Sequence, residues 1–285
     1  MSKLSTNFSF PTGLLTMLLL GLAGIGLWYA APLQPAAVRE APPIILADPE
    51  KPRSLGRMDR LELPVGATPA VAVAATDAGR WEKDVARFEQ ADRETSPAPG
   101  SVILVGASNI RMWETLAADL PGMPVVNRGV GGCTLSELAR FAPRLLAAGK
   151  PGVVVISAGS NDIHGGADAD RVLVAWKEVI AAVRRDHPTV PILVMGILPA
   201  KSRWEERDSQ EKANGLIRDA IVAEGGVMGG GPVEFLDVWA DFLGADGAPD
   251  PEAFLGDELH PSALGNVRRA ARMRPVLERL LAGRE

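Results

Sequence analysis

"VILVGASNIRMW", residues 102–113, opens on four apolar residues and stops abruptly at Gly106-Ala107-Ser108. An apolar run without alternation is buried on both faces, as in a parallel strand covered by helices on each side. The same pattern recurs at Val125-Val126, Val153–Ile156, Ile192–Ile197 and Val233–Leu236. Helical-period stretches separate these runs near residues 109–119, 134–148, 167–186 and 205–224, and a last one runs from Ser262 to Leu281. The alternation predicts a three-layer α/β/α sandwich around a central parallel sheet of about five strands. Ahead of the first strand, "RWEKDVARFEQAD" (80–92) spaces Trp81, Val85 and Phe88 for an amphipathic helix beside that strand, and Pro97-Ala98-Pro99-Gly100 ends it.

The rest of the chain sets limits on function. Its 285 residues, 47% hydrophobic and 23% charged, suffice for a sizeable core. A net charge of -5 and no basic stripe with interleaved aromatics argue against nucleic acid as a partner. With one cysteine, Cys133, and no histidine cluster, neither a disulfide framework nor a metal-ligand set is expected.

"GLLTMLLLGLAGIGLWYAA" (13–31) is apolar and uncharged and follows a short tail, residues 1–12, that carries Lys3. At roughly 1.5 Å per residue it reaches across a hydrocarbon core of about 30 Å. Trp28 and Tyr29 suit a membrane interface but not the outer position of a cleavage site, so we read an uncleaved transmembrane signal anchor, with a cleaved signal peptide as the alternative. Residues 32–79, rich in Pro and Ala and without sustained periodicity, read as a tether, and residues 80–285 as the folded domain. The expected location of that domain is extracytoplasmic, membrane-anchored, or secreted if the segment is cleaved.

In an open parallel sheet, ligands bind beyond the carboxyl ends of the strands. Sorted by that rule, the polar residues fall into four loops: Gly106-Ala107-Ser108, "NRGVGGCT" (127–134), "SAGSND" (157–162) and "GDELHPSALG" (256–265) before the last helix. A serine hydroxyl is a weak nucleophile unless a base takes its proton, and the base needs a third group to fix its tautomer. Asp257 and His260, three residues apart on one turn, supply both for Ser108. The backbone N–H groups of Gly132 and Ser108 and the side-chain amide of Asn161 are candidate oxyanion donors. His164 and Trp204 lie where they could touch substrate; Arg203 and Trp204 could wall the acyl or leaving-group site. Cys133 has no base of its own and reads as a packing thiol. No Gly-Lys-Ser/Thr follows Gly131-Gly132, and the glycines do not fit a dinucleotide fingerprint, which argues against a nucleotide site.

From Arg80 to the C-terminus these blocks, with "RWEKDVARFEQAD", "MGILPA" (195–200) and "DELHP" (257–261), resemble the SGNH, or GDSL-type, serine hydrolases. They are similar above all to bacterial relatives of the platelet-activating-factor acetylhydrolase catalytic subunits. The resemblance implies the flavodoxin-like SGNH fold, Ser108 as nucleophile, Asp257 and His260 completing the triad, and Ser108, Gly132 and Asn161 as the oxyanion hole. It implies no cofactor, and a short acyl group such as acetyl on a lipid, glycan or small alcohol. The chain departs from the namesake motif at Ala107, where the family carries aspartate. Two other readings stay open: acyl transfer to an envelope glycan hydroxyl, and a catalytically silent binding protein that keeps the fold.

Overall fold

A computed structural model describes residues 79–283. The tail and signal-anchor readings, and the tether apart from Gly79, lie outside the described residues. Among the described residues no helix is long and apolar enough to cross a membrane.

The elements in chain order are α1 (Glu82–Glu94), β1 (Val102–Gly106), α2 (Ser108–Arg111), α3 (Leu116–Asp119), β2 (Val125–Gly129), α4 (Leu135–Leu146), β3 (Val153–Ser157) and α5 (Ser160–His164). They continue with α6 (Ala169–Asp186), β4 (Ile192–Met195), a 3₁₀ segment (Lys201–Glu206), α7 (Arg207–Ala223), β5 (Val227–Met228), β6 (Gly231–Leu236) and α8 (Ala263–Ala282). The sheet order is β2-β1-β3-β4-β6-β5, with β5 antiparallel to β6 and every other pairing parallel.

Each parallel strand feeds two cores by simple alternation. Ile103 and Val105 of β1, with Val154 and Ile156 of β3, pack with Leu138, Phe141, Trp176, Val179 and Ile217 of α4, α6 and α7. Val102, Leu104, Val153 and Val155 face the other way, onto Ile110, Trp113, Leu116, Met273 and Leu277. This double burial is why the strands read as unbroken apolar runs. Helix starts are capped where the sequence offers acceptors: a capping box between Thr134 and Glu137 on α4, Asp168 on α6 and Ser262 on α8.

Two local readings are corrected. The stretch expected to be one helix over 109–119 is two single turns, because Trp113 swings into the core and the Asn127 amide takes the Ile110 carbonyl (2.6 Å) that a longer helix would use. The fourth strand stops at Met195 rather than Ile197: Ile197 bonds instead to the Asn214 side chain of α7, whose Oδ1 accepts its N–H (2.8 Å) and whose Nδ2 donates to its carbonyl (3.0 Å). A sixth strand, β5, pairs with β6 across Gly229-Gly230, both at positive φ (60° and 94°). The first helix buries Val85 in the same core as Ile103 and Val105 of β1, and ion pairs tie it to α4 and β2. Arg144 of α4 binds Glu82 and Glu89, and Arg128 of β2 forms a buried ion pair with Asp92.

Candidate active site

The strand order reverses at β1, with β2 on one side and β3 on the other, which opens a crevice above the β1 and β3 carboxyl ends. The two ends approach closely because Gly106 has no side chain; a Cβ there would stand 2.2 Å from the Ser157 carbonyl oxygen. Ala107 donates its N–H to that same oxygen (3.1 Å), and Ser108 begins α2.

His260 reaches Ser108 from the opposite end of the chain. Its Nε2 lies 2.8 Å from Ser108 Oγ and its Nδ1 2.6 Å from Asp257 Oδ2. An ionised carboxylate only accepts, so Nδ1 carries the proton and Nε2 is left to accept from the serine hydroxyl. The turn that presents the pair is locally strained: Glu258 sits at φ 57°, the one non-glycine residue at positive φ among the described residues. Asp257 Oδ1 stabilises that turn by accepting the N–H groups of Leu259 and His260, each at 3.0 Å. Partial burial works against ionisation of Asp257, but the His260 ring and the two backbone N–H groups outweigh it and hold the carboxyl at about 2.

On the other side of the crevice, Asn161 lies in α5, which begins after Gly159 at φ 113°. Its Nδ2 donates to the Cys133 carbonyl (2.9 Å) and its Oδ1 accepts from Arg203 Nη2 (3.0 Å). Gly132, directly before Cys133, adopts φ 75°, which a side chain rarely allows. A Cβ there would stand 3.4 Å from the Trp81 ring and 3.6 Å from the Arg80 guanidinium, so the start of α1 lies over this loop. Ser108, Asn161, Ser160, Arg203, Leu198 and Leu259 line one pocket. It is small: the volume open to a water-sized sphere is ≈ 20 Å³, room for about one water molecule or two.

The two residues read as possible substrate contacts are engaged by neighbouring side chains. His164 Nδ1 is 2.6 Å from Glu206 Oε1, and Trp204 stacks on Trp239 at 6.3 Å between centroids, with Arg207 over its ring. Neither lines the pocket, nor do Gly132 and His260; Arg203 does. Cys133 is fully buried, which pushes its thiol pKa far up and leaves it inert. Asp162, not singled out from the sequence, accepts the Leu135 N–H at the start of α4 (3.0 and 3.1 Å). Among the described residues no group of three or more His, Cys, Asp or Glu side chains could hold a metal ion.

Known structures share this architecture. One from Streptococcus pneumonia, provisionally named a platelet activating factor, is 22% identical, with a TM-score of 0.58 over 69% of this chain and 92% of that one. A GDSL-like lipase from Bacteroides thetaiotaomicron is 20% identical, with a TM-score of 0.55 over 68% and 97%. An acetyl esterase bound to acetate is 21% identical, with a TM-score of 0.51 over 65% and 100%. At such identities the likeness establishes the fold. No curated protein matches the sequence. Residues 99–268 match the GDSL-like lipase/acylhydrolase family over more than half the chain, and the protein belongs to that family.

Proposed function

We propose that this carboxylic ester hydrolase acts through an acyl-serine intermediate on Ser108 and prefers short acyl groups such as acetyl. Ser108 Oγ attacks the ester carbonyl carbon while its proton passes to His260 Nε2. Asp257 keeps the imidazole in the required tautomer and stabilises the imidazolium. The negative charge on the carbonyl oxygen is met by the N–H groups of Ser108 and Gly132 and by Asn161 Nδ2. As the carbonyl–alkoxy bond breaks, His260 returns the proton to the leaving alcohol. Water, deprotonated by the same nitrogen, then releases the acid.

The observation that carries this reading is the continuous hydrogen-bond chain from Ser108 through His260 to Asp257, at 2.8 and 2.6 Å. The small pocket supports the short acyl group. The alcohol part is a lipid, a glycan or a small alcohol. A series of p-nitrophenyl esters of rising chain length tests the proposal. Activity peaks at acetate and falls by about four or more orders of magnitude in His260→Ala, and a fluorophosphonate probe labels wild type but not Ser108→Ala. Equal activity in wild type and His260→Ala sinks the triad; absence of labelling in wild type leaves a silent binding protein; acyl transfer to an added polyol outpacing hydrolysis marks a transferase.

The proposal includes an extracytoplasmic domain held at the membrane by residues 13–31, which rests on their apolar sequence alone. Recovery of the full chain in the soluble fraction without loss of that segment would contradict anchoring.

A further inference from the structure

The 3₁₀ segment Lys201–Glu206 touches both halves of the proposed site. On one side the Ser202 N–H donates to the Glu258 carbonyl (3.1 Å) and Lys201 pairs with the Glu258 carboxylate, so the segment grips the turn that carries Asp257 and His260. On the other side it grips α5. Arg203 Nη1 donates to Ser160 Oγ (2.7 Å), Nη2 donates to Asn161 Oδ1 (3.0 Å), and Glu206 Oε1 meets His164 Nδ1 at 2.6 Å. Arg203 alone breaks the helical dihedrals of the segment (φ -127°, ψ 21°).

A primary amide has two ends of similar shape and opposite chemistry. Turning it by half a revolution exchanges an acceptor for a donor. An asparagine that serves an oxyanion must keep Nδ2 toward the reacting carbonyl, and nothing in its own shape enforces that. The partners of Asn161 do. A guanidinium only donates, so it takes Oδ1; the Cys133 carbonyl only accepts, so it takes one hydrogen of Nδ2. The flipped amide would set N–H against N–H and oxygen against oxygen. The second Nδ2 hydrogen is then the one available to the pocket, and the cation on Oδ1 polarises the amide toward stronger donation.

We infer that Arg203 is a positioning residue of the oxyanion hole: it locks the Asn161 amide with its donor end inward. The inference rests on the proposed function, because it gives Arg203 a role only if Asn161 is an oxyanion donor. Arg203 is half-buried, and burial lowers its pKa against the opposing pull of Glu206.

The test is steady-state kinetics on p-nitrophenyl acetate for wild type, Arg203→Met, Arg203→Lys, Asn161→Ala and the Asn161→Ala/Arg203→Met double variant, each checked by thermal unfolding. Loss of an oxyanion donor costs about 10²–10³-fold in kcat, and loss of its orientation alone should cost about 10–100-fold. Arg203→Met is expected to lower kcat by that amount with KM within about threefold of wild type. Arg203→Lys, which keeps one donor to Asn161, recovers part of the loss. In the Asn161→Ala background, Arg203→Met costs less than about twofold more.

A raised KM with kcat retained would make Arg203 a substrate contact and overturn the positioning role. Additive losses in the double variant would overturn it too. Wild-type kcat in Asn161→Ala would instead refute Asn161 as an oxyanion donor, separately from anything Arg203 shows. Should Arg203→Met not fold, the same comparison is made with Arg203→Lys, whose kcat then falls without a rise in KM; wild-type kcat in that variant overturns the inference.

Discussion

Asp257 is ionised through most of the acid range because the His260 ring and two backbone N–H groups bond to it, against the opposing effect of partial burial. Its folded pKa, about 2, lies below the ordinary carboxylate value near 3.9. The stability it contributes is therefore present above about pH 4 and lost as pH falls toward 2. Asp257→Asn should lower kcat about 10⁴-fold, since an amide can hold the wrong tautomer of His260. It should also flatten the decline in melting temperature between pH 4 and 2; an unchanged decline would assign the acid sensitivity elsewhere. Ser108 and Asn161 stand out in the sequence by residue type at a strand end, and Asp257 and His260 by their three-residue spacing on the turn before α8; the resemblance to the GDSL-type blocks joins the four into one reading. The partners of Arg203 are not legible there: they depend on the path of the chain after Ala200, which no periodicity encodes. The same limit applies to His164, the last residue of α5, and to Trp204, next to Arg203, which meet Glu206 and Trp239.

Helices and parallel strands are legible because burial on two faces and capping residues leave local signals. Elements shorter than a turn or two are not. The pair β5–β6 turns on Gly229-Gly230, a hairpin signal, but β5 is two residues long and too short for alternation to show. Asp162 shows how one side chain couples two elements, lying in α5 while capping α4 through Leu135. Burial raises its carboxyl to about 6 despite those backbone bonds, and Glu137 adds to the rise. The folded state thus holds this proton more tightly than the unfolded chain does. Its contribution is complete below about pH 4 and is lost as pH rises through about 6. By linkage this contribution is on the order of a few kcal/mol. Denaturation in urea at pH 4, 5.5 and 7 should show a loss of that order in wild type and a much shallower one in Asp162→Asn. Parallel pH profiles in the two proteins would mean that the carboxyl is not the responsible group.

At the scale of the whole molecule, nucleophile and base come from positions 152 residues apart, and their register depends on how α8 docks against β3, α3 and the segment that follows Ser108. Arg269 of α8 is fully buried at this joint. Its guanidinium lies over the Trp113 ring at 4.0 Å, donates to the Asn109 carbonyl (3.1 Å) beside Ser108, and bonds to Asn266 Oδ1. Nε and Nη1 find no partner there, and burial draws the pKa well below the usual arginine range. Such a group is costly to hold: desolvation of the charge offsets much of what its bonds and ring contact contribute. A residue kept for stability alone would be replaceable by an apolar side chain of similar volume. Arg269→Leu should accordingly change the unfolding free energy by no more than about 1–2 kcal/mol. It frees the Asn109 carbonyl, however, so Ser108 loses its fixed distance to His260, and a misplacement of about 1 Å costs on the order of 100-fold in rate. The expected result is a variant nearly as stable as wild type in urea, with kcat reduced about 10–100-fold and KM little changed. A drop of several kcal/mol with normal kcat in the folded fraction would instead make Arg269 a structural residue whose bonds repay its burial, and the register of the site would then rest on the apolar contacts of α8 alone.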